Sequence, residues 1–412
     1  MKSIFLVLIF SYLCFCSCSK FSLNNDKIQA TSDGSYVIET GLSDIELLSY
    51  GKEVIYRFKT VPNMLAVKSV ALGKGTHHYF FENSIYKIPE ENEKKRDGYN
   101  ISNVSPTFNS GCYNAFCEAK FDKAIASIQA KNIVLSPVKV AIIDSGIIPS
   151  TFLIKSNLIN SLNLTKDNDS NNWASHATYI SSIFSGTIDE NVVQNIYANN
   201  TKLISIKITF SDDVNALENK NFGSMQLAVA LDYAVSLGAK IVNLSLSYDE
   251  KPDANVELAE KIVISQAAKS GVIFVIAAGN EATDIANSPV YPALYNLNNI
   301  IVVGSHSASL QMASSSNYGF AVDLSAQANQ IELNNKFGEL DVVSGTSFAS
   351  PLVASAISLY LGLFPNASIN KILHDLFLSS NPNYINNYKK NYLTRYGRLD
   401  TKMFLDLGTK SN

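Results

Sequence analysis

A doubly wound, mostly parallel α/β sheet, preceded by a small β-rich N-terminal segment, is the fold class this sequence predicts, and two patterns predict it. From Val138 onward, short apolar runs rich in β-branched residues alternate with amphipathic stretches of helical period. That alternation is what parallel strands buried on both faces and joined by crossover helices require. Before about residue 131 the chain instead shows short β-like runs with few helical patterns between them. The 412 residues suggest one large core with a smaller attachment, at about 100–200 residues per domain. With 46% apolar and 17% charged residues, the chain is neither disordered, nor collagen-like, nor a disulfide-dense miniprotein. Lys plus Arg number 33 against 36 Asp plus Glu, so no basic excess exists to track a phosphate backbone, and nucleic acid is not expected as a partner.

The first element in order is a targeting segment. Met1 and Lys2 lead into the apolar run Ile4 to Phe10, which is too short to span a bilayer and is followed by small and sulfur-bearing residues. Residues 1–18 therefore read as a signal peptide, and the protein as exported. Phe15-Cys16-Ser17-Cys18 resembles the lipobox of bacterial lipoproteins, with Phe15 where Leu is usual. The resemblance implies a lipid on Cys18 and a membrane tether; lipid on Cys16, and plain secretion, are the alternatives. In an exported chain Cys112 and Cys117 are near enough in sequence to close a small disulfide loop. No metal site is expected, because no further cysteine of the mature chain completes a four-ligand set. After the signal, no apolar run is expected to approach the length of a transmembrane helix.

Residues 19–134 form the β-rich segment, with strands expected at Tyr36 to Thr40, Glu53 to Phe58 and His78 to Phe81. Between Pro89 and Gly98 the chain is charged and lacks aliphatic or aromatic residues, which predicts a solvated loop; Lys94-Lys95-Arg96 within it reads as a charged turn or a processing site. Residues 135–405 form the α/β domain. Its strands are expected at Val138 to Ile143, Leu203 to Ile208, Ile241 to Leu246, Val272 to Ile276 and Ile300 to Val303. Helices are expected at Ser224 to Leu237 and Val256 to Lys269, each followed within two residues by a glycine, Gly238 or Gly271, suited to a left-handed cap. Ligands of such sheets bind beyond the carboxyl ends of the strands, so polar residues there carry most weight.

Asp144 follows the first of these strands directly, in Ile142-Ile143-Asp144-Ser145-Gly146. Alone it reads as a turn or capping carboxylate. Ser175-His176 opens a stretch whose Ala177, Ile180 and Phe184 share a helix face, with Ser175 as the expected N-cap and His176 in the first turn. Ser347 lies in Gly345-Thr346-Ser347-Phe348-Ala349-Ser350-Pro351, at the start of a further helix, where a serine commonly caps. Together they give Asp, His and Ser in the order of one acyl-transfer triad, on a parallel α/β sheet.

At these residues the chain resembles the subtilases, the subtilisin-like serine peptidases. The matching stretches are Val140 to Gly146, His176-Ala177-Thr178, Asn243 to Leu246, Ala277-Ala278-Gly279-Asn280 and Gly345 to Pro351. The last is highly specific; the blocks around Asp144 and His176 are weaker. The resemblance implies an endopeptidase acting on peptide or protein substrates. Ser347 would be the nucleophile, His176 its base and Asp144 the group that orients the imidazole. The Ser347 N–H and the Asn280 amide would form the oxyanion hole. A peptide would pair with Ser245-Leu246-Ser247, and its side chain before the cut would enter a pocket walled by these and by Ala277, Ala278 and Gly279. Small apolar walls favour a large apolar side chain; Glu281 reads as a rim or surface residue.

Two departures from the family stand out. Ala177 replaces a usual Gly, which is expected to add a methyl near the cleft, and Tyr179 replaces a common second His. A fold-retaining but catalytically inactive peptide-binding or chaperone protein is therefore the alternative function. A nucleotide-binding reading lacks both Gly-x-Gly-x-x-Gly and a P-loop. No organic cofactor is implied. Calcium is consistent with the family, but no ligand set is assigned: Asp167 to Asn172 begins like a calcium loop, yet lacks its sixth-position Gly. His77 and His78 would point to opposite faces of a strand, and His306 and His374 have no partner legible in sequence. The segment before the α/β domain reads as a propeptide cleaved between Glu90 and about Val134, or as a permanent accessory domain. Oligomeric state is left open.

Overall fold

The computed structural model describes residues 35–39, 52–69, 115–165, 175–189, 192–194, 200–209, 225–247, 251–380 and 394–409. Strands β1 (Ser35–Glu39), β2 (Lys52–Arg57) and β3 (Met64–Ser69) form an antiparallel sheet in the order β1-β3-β2. The next strands are β4 (Val138–Asp144), β5 (Leu158–Asn163), the short pair β6 (Thr187–Asp189) and β7 (Val192–Gln194), and β8 (Thr201–Lys207). They are followed by β9 (Ile241–Leu244), β10 (Ile273–Ala277), β11 (Ile300–His306) and β12 (Leu324–Gln327). The hairpin β13 (Ile331–Asn334) and β14 (Leu340–Val343) and the two-residue β15 (Gly397–Arg398) complete the set.

An eight-stranded sheet, β15-β12-β11-β10-β9-β4-β8-β5, organises the molecule, and every pairing in it is parallel. Side chains along β4 alternate between two cores: Val140 and Ile142 face one, Ala141 and Ile143 the other. Because both faces are covered, these strands are apolar throughout rather than alternating. The predicted strands coincide with β4, β8, β9, β10 and β11. The flanking ones escaped prediction for visible reasons. β5 exposes its middle residues, β12 is Leu-Ser-Ala-Gln without a β-branched residue, and β15 is only Gly-Arg.

On one face lie the helices Gln226–Ser236 and Ala254–Lys269, ended as predicted by Gly238 and Gly271 at φ 84° and 75°. On the other lie His176–Ser185 and Thr346–Leu363. The latter is long and apolar enough to cross a membrane, contrary to expectation, but 94% of it is buried inside the protein, so it is the core helix of this face.

The N-terminal sheet is seated on the first of these faces. Tyr56, Phe58, Met64 and Ala66 join the core that contains the Gln226–Ser236 helix. At the contact, Asp232 is fully buried and accepts hydrogen bonds from Tyr56 Oη (2.8 Å), Lys59 N (2.7 Å), Thr60 N (2.9 Å) and the Thr60 hydroxyl. Such charge-assisted bonds offset the cost of burying the carboxylate. Burial, and then the Asp232 charge, push the Tyr56 phenol far above its usual range. The Lys59 ammonium covers the Tyr233 ring at 3.6 Å. Strand β3 was not predicted, and the expected strand at His78 to Phe81 lies outside the described residues.

Helices Ala115–Glu118 and Phe121–Ala130 were also not predicted. Although they fall within the segment read as residues 19–134, Ala115, Phe116, Phe121, Ala124 and Ile128 are buried in the core of the α/β unit. Polar ties reinforce this packing. Lys120 pairs with Asp400, and Glu118 pairs with Arg398 while its Oε2 lies 3.2 Å from His306 Nε2. Cys117 is disulfide-bonded; Cys112, its expected partner, lies outside the described residues, as do Cys18, the Asp167 to Asn172 loop, and His77 and His78.

His306, whose Nδ1 is 2.9 Å from Ser325 Oγ, is 1% exposed, and burial lowers its pKa from 6.5 to about 4. Glu118 favours the imidazolium, but its charge is already engaged by Arg398, so burial prevails. A depressed folded-state pKa stabilises the fold fully above pH 6.5, and this contribution is lost as pH falls through about 4. Urea unfolding should therefore report up to about 3 kcal/mol less stability from this group at pH 4 than at pH 7, and His306→Asn should flatten that part of the profile.

Candidate active site

Because the central sheet is parallel, the carboxyl ends of β4, β9 and β10 open on one edge, and the sequence-predicted residues gather there. Asp144 ends β4 and is 1% exposed. Its Oδ1 accepts from Ser145 N at 2.6 Å, and both its oxygens lie 2.9 Å from His176 Nδ1. A carboxylate so placed accepts a hydrogen bond from the Nδ1–H, which fixes the tautomer and leaves the Nε2 lone pair as the basic end of the ring.

Ser145, which had drawn attention only as part of a turn, organises the helix that carries His176. Its Oγ accepts from Ala177 N at 3.2 Å, so the capping oxygen of this helix comes from the Asp144 turn. Ser175, the expected cap, makes no such bond; its backbone is already helical, and its Oγ accepts from Lys336 N at 3.3 Å. Thr178 Oγ1 accepts from Ile148 N at 3.0 Å, a second tie to the same turn. Beneath it, fully buried Lys207 donates to Ser145 O at 3.1 Å. Ala177 is itself fully buried and belongs to the core on this face of the sheet.

Ser347 is the second residue of its helix and is 2% exposed. The next residue, Phe348, packs on the His176 ring at 5.6 Å between centroids, so the alcohol and the imidazole come from helices in direct contact. Pro351 lacks the N–H that would bond to the carbonyl four residues back, and that carbonyl belongs to Ser347. Ser245 fills the gap: its Oγ donates to Ser347 O at 2.7 Å, while Ser347 Oγ donates to Ser245 O at 3.3 Å. Asn243 Nδ2, at 2.9 Å, and Ser350 Oγ, at 3.1 Å, hold the Ser245 hydroxyl from other sides.

Asn280 stands just past β10. Its Oδ1 accepts from Thr346 N at 2.9 Å and from Thr346 Oγ1 at 3.1 Å, which commits the oxygen end of the amide and turns the nitrogen end elsewhere. Thr346 Oγ1 in turn accepts from Gly279 N at 3.1 Å. Gly345, which precedes Thr346, has φ 148°, a conformation that L side chains rarely adopt, so glycine suits this turn into the helix. The predicted substrate residues Ser245, Leu246, Ser247, Ala277, Ala278 and Gly279 line the same sheet edge and are all buried. The Ser245 hydroxyl is committed to Ser347, and the Leu246 side chain to the core. Glu281 is exposed and accepts from Asn317 Nδ2 at 2.6 Å. Among the described residues, no group of three or more His, Cys, Asp or Glu is arranged to hold a metal ion.

The family model of the subtilase family matches residues 136–397. Subtilisin NAT of Bacillus subtilis subsp. natto is 30% identical over 232 residues, 56% of this chain and 57% of its own length. The major intracellular serine protease of Bacillus subtilis (strain 168) is 31% identical over 243 residues, 56% of this chain and 70% of its own. The chain thus spans little more than half the length of the subtilisin it matches. Two solved structures are similar in fold. The epidermin leader peptide processing serine protease from Staphylococcus aureus has a TM-score of 0.64 at 18% identity, covering 92% of this chain and 99% of its own. Fervidolysin from Fervidobacterium pennivorans, a keratinolytic enzyme related to subtilisin, has a TM-score of 0.67 at 18% identity, covering 92% and 62%.

Removing the hydroxyl in Ser245→Ala should destabilise the protein by about 1–3 kcal/mol, because it strands the buried Ser347 carbonyl. Adding Pro351→Ala restores an N–H to that carbonyl. A double-mutant cycle in urea should then show roughly 1 kcal/mol of favourable coupling; simple additivity would contradict the assignment.

Proposed function

The chain belongs to the subtilase family, and from that premise we propose that it is a serine endopeptidase that cleaves peptide bonds through an acyl-enzyme on Ser347. The observation that carries the proposal is the buried Asp144–His176 pair, whose imidazole sits on a helix packed against the one that bears Ser347. A serine hydroxyl is too weak a nucleophile at neutral pH, so its proton must pass to a base as it attacks the carbonyl carbon. His176 Nε2 takes that proton, and Asp144 stabilises the resulting imidazolium. The carbonyl oxygen becomes an anion, met by the Ser347 N–H at its helix N-terminus and by Asn280 Nδ2. His176 then returns the proton to the departing amine, and water completes the second half of the cycle by the same route. Thr346, by holding Oδ1 of Asn280, keeps the amide nitrogen as the donor in advance of the reaction.

The substrate backbone pairs with residues 245–247, and its side chain before the cut enters a pocket walled by Ala277, Ala278 and Gly279. Export through residues 1–18, with a lipid on Cys18, places this activity outside the cytoplasm. The seating of Tyr56 to Ala66 on the Gln226–Ser236 helix supports a propeptide role for the N-terminal segment, with Asp232 as its anchor.

A fluorophosphonate probe, which reacts with an activated serine, should label Ser347 in the wild type and lose the label in Ser347→Ala; a folded wild type that stays unlabelled would support the inactive peptide binder instead. In the full chain, Asp232→Ala should raise the labelling rate about 10-fold or more, given about 1.5–3 kcal/mol for a hydrogen bond to a charged group. An unchanged rate would remove Asp232 from the anchoring role.

A further inference from the structure

Tyr179, the departure from the family pattern that sequence left unexplained, lies one turn beyond His176 on the same side of its helix and is 1% exposed. Its hydroxyl donates to Asp341 Oδ2 at 2.6 Å, and its ring meets Phe348 edge-on at 6.1 Å. Asp341 belongs to β14, which runs through Ser344 and Gly345 directly into the helix of Ser347. Tyr179 is therefore braced against the nucleophile's segment at two points, six residues before Ser347 and one residue after it. We infer that Tyr179, through Asp341, is a positioning residue that sets where the His176 ring stands relative to Ser347, an inference that rests on the peptidase reading.

The brace is rigid at its far end. Asp341 Oδ2 also accepts from Asn335 Nδ2 at 3.0 Å, and Asn335 closes the β13–β14 turn by accepting from Phe337 N at 2.9 Å and Glu339 N at 3.0 Å. Ser150 Oγ donates to Asn335 O at 2.8 Å, so the turn is tied to the loop after β4 as well. The bond from Lys336 N to Ser175 Oγ fixes the residue just before His176 to the same turn. Phe348 completes the arrangement, fully buried between the Tyr179 and His176 rings. The hairpin thus acts as a strut between two elements that meet only in the folded chain. A misplacement of about 1 Å in such a pair can cost 10²-fold in rate.

The test is the saturating rate of fluorophosphonate labelling of the full chain, measured together with the probe concentration for half-maximal rate and the thermal midpoint. Tyr179→Phe, which keeps the ring and loses the hydroxyl, should lower the saturating rate roughly 10-fold and leave the half-saturating concentration within about twofold. Asp341→Ala should lose about as much and the double variant little more, whereas Asp341→Asn, which keeps an acceptor, should stay within about threefold of wild type. A lowered thermal midpoint with an unchanged saturating rate would make Tyr179 merely structural and overturn the inference, as would additive losses. If Tyr179→Phe fails to fold, the contrast between Asp341→Ala and Asp341→Asn decides the matter. An unlabelled wild type would overturn the peptidase reading itself, an outcome distinct from the loss of the brace alone.

Discussion

Both oxygens of Asp144 face one nitrogen of His176 in a place where water does not reach either group. Such a buried charge is tolerable only if its surroundings supply donors, and the surrounding chain is built to do so. Ser145 donates its N–H to the carboxylate while its Oγ accepts from Ala177 N in the helix of His176, and Lys207 donates to the Ser145 carbonyl from below. The parallel sheet makes this economical, since strands running the same way deliver Asp144, Ser245 and the Asn280 loop to one edge without long detours.

The start of the Ser347 helix obeys the same accounting. Pro351 opens a gap in the backbone ladder, the Ser245 hydroxyl closes it, and the exchange of two hydrogen bonds between residues 245 and 347 ties the end of β9 to the Ser347 helix. Thr346 performs the parallel task toward β10, bonding Gly279 N with one face of its hydroxyl and Asn280 Oδ1 with the other. The string from Gly345 to Pro351 is thus, in its hydrogen bonding, a set of solutions to backbone satisfaction.

Much of this was legible from residues alone. The strands buried on both faces announced themselves by Val and Ile runs; Asp144, His176 and Ser347 drew attention by their order, and Asn280 only through the resemblance to the family. What was not legible depends on distant contacts. Helix Phe121–Ala130 carries little capping signal, with Lys120 ahead of it in the left-handed region, and is held by the buried core and the Asp400 pair. Strands β12 and β15 are made by their neighbours in the sheet rather than by their own propensity. The true cap of the His176 helix, Ser145, lies thirty-two residues ahead of Ala177 in sequence, and Tyr179 gains meaning only when Asp341 is brought to it. Pro351 was the one missed clue of a local kind, because its position alone names the Ser347 carbonyl as lacking a helical partner.

The central claim is that Ser347 and His176 act as one coupled unit. Its most direct measurement compares peptide hydrolysis by Ser347→Ala, His176→Ala and the double variant. Each single substitution is expected to remove roughly 10⁶-fold of the rate, a magnitude taken over from subtilisin, and the double to remove little more. Losses that multiply would contradict the account, because they would mean that the two groups contribute independently.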